Sequence, residues 1–325
     1  MSLYKKLQKF SEKENIISGV GSADSFTELK EYLKNREVPF VSYGIEERTE
    51  PALTMTNVKS IVSIGMSYNT IYTKIRDNSI RGNISAGAVG TDYHILIKDK
   101  LEKLRTEILP EYEVKIFSDT GPLSDRDVAL RCGLGSRSKN GGILNKKIGG
   151  MFFIGYMLTN VEYSLWQAEK AETVNCGECE KCIKACPNSA INNGICDYNK
   201  CISYLTQKKG ALTFEEYNKI GRQIYGCDVC QRACPYNSSY TVIESEYAYP
   251  DIKKLLKMSN KEFKKVYGNT AAGWRGKKTL QRNALAVLGN MKCIEALPLI
   301  SEFINNENEE LKSAAIYAIN KIKES

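Results

Sequence analysis

The first half of the chain alternates between strand-like and helical hydrophobic patterns. Residues 58–68 (VKSIVSIGMSY) and 112–119 (YEVKIFSD) are rich in β-branched side chains, which predicts two strands. Residues 92–109 carry apolar side chains three or four positions apart, which predicts a helix. Those apolar positions are Leu96, Ile97, Leu101, Leu104 and Ile108. We therefore expect residues 1–166 to form an α/β or α+β domain.

The hydrophobic periodicity weakens between residues 167 and 249. Nine of the eleven cysteines lie in this stretch. Because it has few apolar residues in a regular pattern, we expect bound metal clusters, rather than a large apolar core, to organise it.

Short amphipathic runs return after residue 250. They occupy residues 279–290, 294–305 and 309–322, and Pro298 interrupts the second of them. The pattern is typical of about one and a half helical hairpins of the HEAT kind. Since such solenoids need about three repeats to be stable alone, we expect this part to pack against the cysteine-rich region. The predicted fold class is α+β, with domains at 1–166, 167–249 and 250–325.

Two cysteine runs have the spacing of iron–sulfur ligands. The first run is C-x2-C-x2-C-x3-C-Pro and the second is C-x2-C-x3-C-Pro. In ferredoxins with two clusters, the last cysteine of each run binds the other cluster. We therefore predict a ferredoxin-like domain with two [4Fe-4S] clusters. The ligands predicted for the first cluster are Cys176, Cys179, Cys182 and Cys234.

The second cluster then has three ligands from the two runs and needs a fourth. Those three are Cys186, Cys227 and Cys230, and Ala233 occupies the position that a ferredoxin would use for another cysteine. Cys196 and Cys201 both lie in the connecting segment, and their spacing does not choose between them. A zinc ribbon is the alternative, but zinc sites seldom use the interleaved run.

Composition narrows the class of protein. The 325 residues are 42% hydrophobic and 26% charged, and no run approaches the roughly 20 apolar residues of a membrane helix. The start of the chain also lacks the features of a secretory signal, so we expect a soluble cytoplasmic protein without a membrane partner.

The motifs that the sequence lacks exclude several classes of enzyme. His94 is the single histidine, which excludes most zinc hydrolases and histidine triads. The chain has no Gly-x-Gly-x-x-Gly after a strand and no phosphate-binding Gly-x-x-x-x-Gly-Lys, so neither a Rossmann nicotinamide site nor ATP hydrolysis is expected. Flavin and corrinoid chemistry remain open.

Positive charge is concentrated in one segment. The chain has a formal net charge of +8, and residues 251–290 hold ten basic side chains against Asp251 and Glu262. Such a density predicts a surface for a polyanion, with Tyr267 and Trp274 as flat surfaces for bases or sugars. A solvated helix face is the alternative. The basic residues are Lys253, Lys254, Lys257, Lys261, Lys264, Lys265, Arg275, Lys277, Lys278 and Arg282.

Several stretches occur in the order found in epoxyqueuosine reductases, and the chain resembles that family over nearly its whole length. The resemblance is strongest in the paired cysteine runs joined by CISYLT, and it favours Cys201 as the missing cluster ligand. The other stretches are ERTEP (47–51), KSIVSIGMSY (59–68), TDYH (91–94), SDTGP (118–122), GLGSRSKN (133–140) and LQRNALAVLGN (280–290).

The resemblance implies an oxidoreductase that uses cobalamin and two [4Fe-4S] clusters to reduce epoxyqueuosine to queuosine at the wobble position of tRNA. The N-terminal part would be an α/β corrinoid-binding domain related in fold to reductive dehalogenases. Two electrons would pass through the clusters to cobalamin, one at a time. The implied partners are the anticodon stem-loop of tRNA and an electron donor such as flavodoxin or ferredoxin, and we expect a monomer.

The resemblance also implies roles for individual residues. Asp119 matches the family's proton donor, and such an acid must be kept protonated by a buried, apolar or anionic setting. Tyr93 and His94 match a motif that lines the corrinoid. The further expected cofactor contacts are Arg48, Lys139 and Asn140, of which the last two could instead hold the tRNA backbone.

Two departures from the family pattern lie beside these residues. Ser136, Arg137 and Ser138 stand where many members have an aromatic residue, Ile and Gly, and Tyr156 stands where many have Glu. A related corrinoid reductase that acts on a small molecule is therefore the main alternative. An electron-transfer or scaffold protein without a corrinoid is a third possibility.

Overall fold

The computed structural model describes residues 1–36, 38–169, 173–192 and 194–324. The backbone forms two compact units, each built from separate stretches of chain. The first comprises Met1–Tyr68, Tyr93–Glu180 and Pro235–Ser239, and the second comprises Asn69–Asp92, Lys181–Cys234 and Tyr240–Ser325. The division into three domains at 166/167 and 249/250 stays a prediction.

Strands and helices are numbered in chain order. The strands are β1 (Ile17–Ser22), β2 (Ser60–Ser67), β3 (Thr70–Thr73), β4 (Asn83–Ile84), β5 (Val114–Phe117), β6 (Ser136–Arg137), β7 (Ile143–Leu144), β8 (Phe152–Thr159), β9 (Ile191–Asn192), β10 (Ile195–Cys196), β11 (Gln223–Tyr225) and β12 (Thr241–Glu244). The helices are α1 (Leu3–Glu14), α2 (Thr27–Leu33), α3 (Ile45–Thr49), α4 (Pro51–Thr54), α5 (Tyr93–Ile108), α6 (Asp125–Arg131), α7 (Tyr163–Trp166), α8 (Lys181–Ala185), α9 (Ile202–Gln207), α10 (Phe214–Lys219), α11 (Val229–Arg232), α12 (Ile252–Lys257), α13 (Asn260–Tyr267), α14 (Lys277–Asn290), α15 (Leu297–Ser301) and α16 (Glu309–Lys323). Short 3₁₀ turns cover Ala86–Ala88, Pro235–Asn237, Ala271–Arg275 and Ile294–Ala296.

A four-stranded sheet in the order β1-β2-β8-β5 forms the centre of the first unit. The predicted strands and helix at 58–68, 112–119 and 92–109 are confirmed as β2, β5 and α5. Every pairing in the sheet is antiparallel, so this part is α+β and not the α/β arrangement named for it. The alternation of strand and helix patterns in the sequence does not show which strands pair.

Apolar side chains cover both faces of this sheet. In β2, Ile61 belongs to one buried cluster, whereas Val62 and Ile64 belong to another. This burial on both faces explains why the strand does not alternate strictly between apolar and polar residues, with Ile61 and Val62 adjacent. In α5 the predicted apolar positions are buried, apart from Leu96, which is 37% exposed.

Helix α14 forms the centre of the second unit. Its residues are buried without interruption from Thr279 to Gly289, and α16 and α12 pack against it. The three predicted C-terminal runs form α14, α15 and α16. Their assignment to a HEAT-like repeat stays a prediction. Within the described ranges, no helix is both long and apolar enough to cross a membrane.

Candidate active site and cluster ligands

Asp119 lies at the tip of a strained turn between β5 and α6. Its φ angle is +57°, and the Thr120 amide donates to the Ser118 carbonyl at 2.6 Å, which closes a three-residue turn. A non-glycine residue in the left-handed region costs free energy and persists only where surrounding contacts hold it. One such contact is the Asp119 amide, which donates to Asp125 Oδ2 at 2.8 Å.

Tyr156 stabilises the same turn through a hydrogen bond with its backbone. It is fully buried, and its hydroxyl accepts a hydrogen bond from the Leu123 amide at 3.2 Å. A Cβ atom at Gly121 would lie 2.4 Å from that hydroxyl, so only glycine fits there. Tyr156, which stands where many family members have Glu, therefore contacts the loop that carries Asp119, the predicted proton donor.

The Asp119 carboxylate contacts Tyr93 and His94, the two residues that the resemblance places beside the corrinoid. Its Oδ2 accepts a hydrogen bond from Tyr93 Oη at 2.8 Å and lies 3.5 Å from His94 Nε2. The side chain is 61% exposed. His94 first, and Tyr93 after it, lower the pKa of Asp119 below its usual value. The expected setting that keeps this acid protonated is therefore absent, because both partners stabilise the carboxylate.

Asp125, rather than Asp119, has the buried and anionic surroundings that were expected of the proton donor. Burial, followed by the charge of Asp119, raises the pKa of Asp125 to about 7. Its Oδ1 is buried and has no hydrogen-bond partner among the described residues. The sequence reasoning missed this residue. Its only signal was an acidic position six residues after Asp119, at the start of α6.

Aromatic rings form a stack beside Asp119. Tyr93 stacks on Phe153 with centroids 4.4 Å apart and planes 7° apart, and on His94 at 4.2 Å. Phe153 also stacks on Tyr68 at 4.4 Å. Tyr93 and His94 belong to α5 and Phe153 to β8, so the helix and the central sheet together fix these rings. Sequence reasoning found Tyr93 and His94 but missed Tyr68 and Phe153.

The other predicted cofactor contacts lie elsewhere in the first unit. Arg48 is half-buried in α3. The backbone amide of Lys139 donates to Cys176 Sγ at 3.4 Å. Asn140 Oδ1 accepts from Ser138 Oγ at 2.6 Å and from the Gly142 amide at 3.0 Å, so it stabilises the turn between β6 and β7. Cofactor contacts by these three residues stay predictions.

Four thiols of the second unit influence one another electrostatically. Burial first, and then neighbouring charges that include those of Cys201 and Cys186, raise the pKa of Cys227 to about 11 and that of Cys230 to about 12. The Ala190 amide also donates to Cys186 Sγ at 3.2 Å. Backbone donors to sulfur and half-buried thiols fit an iron–sulfur cluster, whose ligands are thiolates.

Cys196 lies next to these thiols. A hydrogen bond with Cys201 is the largest cause of its raised pKa. The structure thus brings both candidates for the fourth ligand together, and the choice of Cys201 stays a prediction. Within the described ranges, no three His, Cys, Asp or Glu side chains are arranged to hold a single metal ion.

The basic segment is only partly a surface. Tyr267 is 4% exposed and Arg282 is fully buried, so neither can contact a nucleic acid, and those two expectations are wrong. Arg282 lies inside the second unit because α14 is buried all round. Trp274 is 60% exposed, and the Arg275 guanidinium lies 3.6 Å from its ring centroid. The exposed basic residues are Lys253, Lys254, Lys257, Lys261, Lys264, Lys265 and Lys278.

Two family models match the chain. One is described as a 4Fe-4S double cluster binding domain and covers residues 175–237. The other is described as epoxyqueuosine reductase QueG, DUF1730, and covers residues 48–120. The first match contains all eight predicted cluster ligands, and the second contains Arg48, Tyr93, His94 and Asp119.

Whole-chain comparisons agree with these matches. The chain is 36% identical to the epoxyqueuosine reductase of Staphylococcus aureus (strain NCTC 8325 / PS 47), over 94% of this chain and 84% of that protein. A solved structure of epoxyqueuosine reductase from Streptococcus thermophilus superposes with a TM-score of 0.92 at 34% identity, covering 99% of this chain and 90% of that one. A crystal structure of epoxyqueuosine reductase with an epoxyqueuosine-modified tRNA-Tyr stem loop superposes with a TM-score of 0.87 at 34% identity, covering 98% and 91%. On this identity and coverage, the chain belongs to the epoxyqueuosine reductase family.

Proposed function

We propose that this protein reduces epoxyqueuosine to queuosine at the wobble position of tRNA and that Asp119 donates a proton to the departing oxygen. The observation that carries the assignment of Asp119 is its place on a strained, exposed turn in contact with Tyr93 and His94. Strained residues of this kind cluster at active sites. A solved relative was crystallised with an epoxyqueuosine-modified stem loop, which supports the substrate.

The reaction sets the chemical requirements of the site. Removing the epoxide oxygen leaves an alkene, consumes two electrons and two protons, and releases the oxygen as water. The carbon–oxygen bonds break more easily when an acid protonates the oxygen as it leaves.

The ring stack supports a flat cofactor. Tyr93 and His94 are partly exposed and lie beside Asp119, so they offer a flat, polar surface that fits a corrinoid macrocycle. When bound, cobalamin would supply low-valent cobalt as the reductant, and the two [4Fe-4S] clusters would supply single electrons. Arg48, Lys139 and Asn140 are further candidate contacts with the cofactor.

Protons reach the substrate through the side chains around Asp119. Because Tyr93 and His94 lower the pKa of Asp119, its carboxylate must receive a proton before it can donate one. Tyr93 Oη and His94 Nε2 are the groups placed to supply it to Oδ2. Asp125 holds the backbone of the turn through the Asp119 amide, so that the carboxyl group keeps its direction.

The exposed lysines support a tRNA partner. Six of the seven lie on or directly beside α12 and α13, and their charge would attract the phosphates of the anticodon stem-loop. The remaining parts of the proposal are a low-potential donor such as flavodoxin or ferredoxin, a monomeric state and a cytoplasmic location.

Omitting one component at a time tests the proposal. Anaerobically reconstituted protein is incubated with epoxyqueuosine tRNA and a low-potential reductant, with and without cobalamin, and nucleosides are analysed by mass spectrometry. Queuosine should form only with cobalamin present. Equal conversion without cobalamin would exclude the corrinoid, and reduction of the free nucleoside in preference to the tRNA would favour the small-molecule reductase.

A further inference from the structure

A buried asparagine connects two chain segments that supply cluster cysteines. Asn283 lies in α14 and is fully buried. Its Nδ2 donates to the Thr206 carbonyl and to the Ile224 carbonyl, both at 2.8 Å. Thr206 belongs to α9, which begins immediately after Cys201, and Ile224 belongs to β11, which ends two residues before Cys227.

A second hydrogen bond links the same two segments. Thr206 Oγ1 accepts from the amide of Gly226, the residue immediately before Cys227, at 2.9 Å. The segments are therefore joined once through the side chain of Asn283 and once directly, close to one of the cysteines.

Arg282 fixes the orientation of the Asn283 amide. Its Nε and Nη2 donate to Asn283 Oδ1 at 3.0 and 2.8 Å, so the Asn283 oxygen faces Arg282 and the nitrogen faces the two carbonyls. Arg282 Nη1 also donates to the Lys208 and Gly210 carbonyls at 2.7 and 2.5 Å, just beyond α9. Both atoms of the amide group are thus satisfied, which makes the arrangement specific.

We propose that Asn283, oriented by Arg282, is a positioning residue that sets the distance between the segments carrying Cys201 and Cys227 and thereby the geometry of the second cluster. This inference rests on the proposed ligand set of that cluster. A cluster needs four sulfurs at fixed separations, and residues behind the ligands tune affinity and potential. Without the Asn283 donors, the Ile224 carbonyl loses this bond and the Thr206 carbonyl keeps only a longer one, from Arg282 Nη2 at 3.5 Å. The two segments are then joined only by the hydrogen bond between the Gly226 amide and Thr206 Oγ1, so their separation is less well fixed.

The test compares Asn283→Asp with a matched control. Asn283→Asp removes both donors but keeps an oxygen for Arg282. The control is Gln281→Glu, because Gln281 is also buried in α14 and its Nε2 donates to two carbonyls, Leu255 and Leu256, which belong to α12 and not to a cysteine-bearing segment. Each variant is reconstituted anaerobically, and its iron content, its electron paramagnetic resonance spectrum and its cluster midpoint potentials are measured.

The proposal predicts that Asn283→Asp loses or alters one cluster only, so that iron falls from about eight toward about four per chain or one set of signals shifts. Gln281→Glu should keep both clusters even if it lowers the melting temperature. An Asn283→Asp protein with full iron, an unchanged spectrum and unchanged potentials would overturn the proposal.

A milder pair of variants keeps the proposal testable if Asn283→Asp does not fold. Thr206→Val removes the bond from the Gly226 amide together with the bond that Thr206 Oγ1 donates to the Ser203 carbonyl within α9, and Thr206→Ser preserves both. The valine variant should shift the potential of the second cluster and the serine variant should not, whereas identical potentials in both would contradict the inference. Since none of these measurements uses tRNA, failure of the proposed enzymatic activity would show separately.

Discussion

The pKa values of two aspartates, six residues apart in the chain, are shifted in opposite directions. Asp119 is held as a carboxylate by Tyr93 and His94, whereas burial and the charge of Asp119 raise the pKa of Asp125 to about 7. The sequence motif identifies the first but does not describe its surroundings. At this site, the proposed proton donor and the carboxyl group with the raised pKa are therefore different side chains.

Replacing Asp119 by Asn should abolish most turnover while both clusters and bound cobalamin remain. The amide has nearly the same shape but cannot donate a proton in the same way, and removal of a general acid costs about 10²- to 10⁴-fold in rate. Single-turnover kinetics on epoxyqueuosine tRNA measure the loss. An undiminished rate would place the acid elsewhere, with Tyr93 as the next candidate.

Replacing His94 by Gln should move the pH dependence of turnover. Asp119 donates in its protonated form, so its contribution falls as pH rises through its pKa. Because His94 is the largest cause of the lowered pKa, its removal raises the pKa of Asp119 and shifts the falling limb to higher pH, while kcat itself falls because Tyr93 alone remains to return a proton to Asp119. A pH profile of kcat measures this shift. A falling limb that stays in place or moves to lower pH would contradict the proposed effect of His94 on Asp119.

Asp125→Asn should change how stability depends on pH. Since the pKa of Asp125 is raised on folding, the folded state binds the extra proton, and stability falls as pH rises from about 4 through about 7. The asparagine removes this loss and can still accept from the Asp119 amide. Melting temperatures between pH 5 and 8 should therefore fall less steeply in the variant, and equal slopes would argue against a neutral Asp125.

At the scale of single elements, local periodicity predicts β2, β5, α5 and the C-terminal helices well. Strand pairing was not predictable in the same way, because the partners of β8 lie far away in sequence and an apolar run fits either direction. Arg282 shows a similar limit. An arginine in a basic segment resembles a surface residue, and only the packing of other helices around α14 reveals that it is buried.

The cysteine motifs predict seven cluster ligands, and the structure does not choose the eighth. Cys196 and Cys201 lie within hydrogen-bond contact of each other, so proximity does not separate them. Cys201→Ser should lower iron from about eight to about four per chain, whereas Cys196→Ser should leave it unchanged. Iron analysis of reconstituted protein decides the matter, and the reverse result would make Cys196 the ligand.

At the scale of the whole molecule, the protein has a net charge of +8, and exposed lysines on α12 and α13 carry part of it. Reversing Lys261, Lys264 and Lys265 to Glu should raise the KM for tRNA and reduce the steepness of its salt dependence, by about 0.7 to 0.9 in log–log slope per lost phosphate contact. A matched triple reversal of the exposed Lys5, Lys6 and Lys9 in α1 serves as the control. Equal effects of the two triples would exclude a specific docking face.

The most direct measurement of the proposed function is a single-turnover reaction between the fully loaded protein and an isolated anticodon stem-loop that contains epoxyqueuosine. The proposed function predicts that each modified nucleoside loses one oxygen atom and becomes queuosine, and that Asp119→Asn protein with both clusters and cobalamin bound leaves it nearly unchanged. A loaded wild-type protein that binds the stem-loop but leaves the epoxide intact would contradict the assignment.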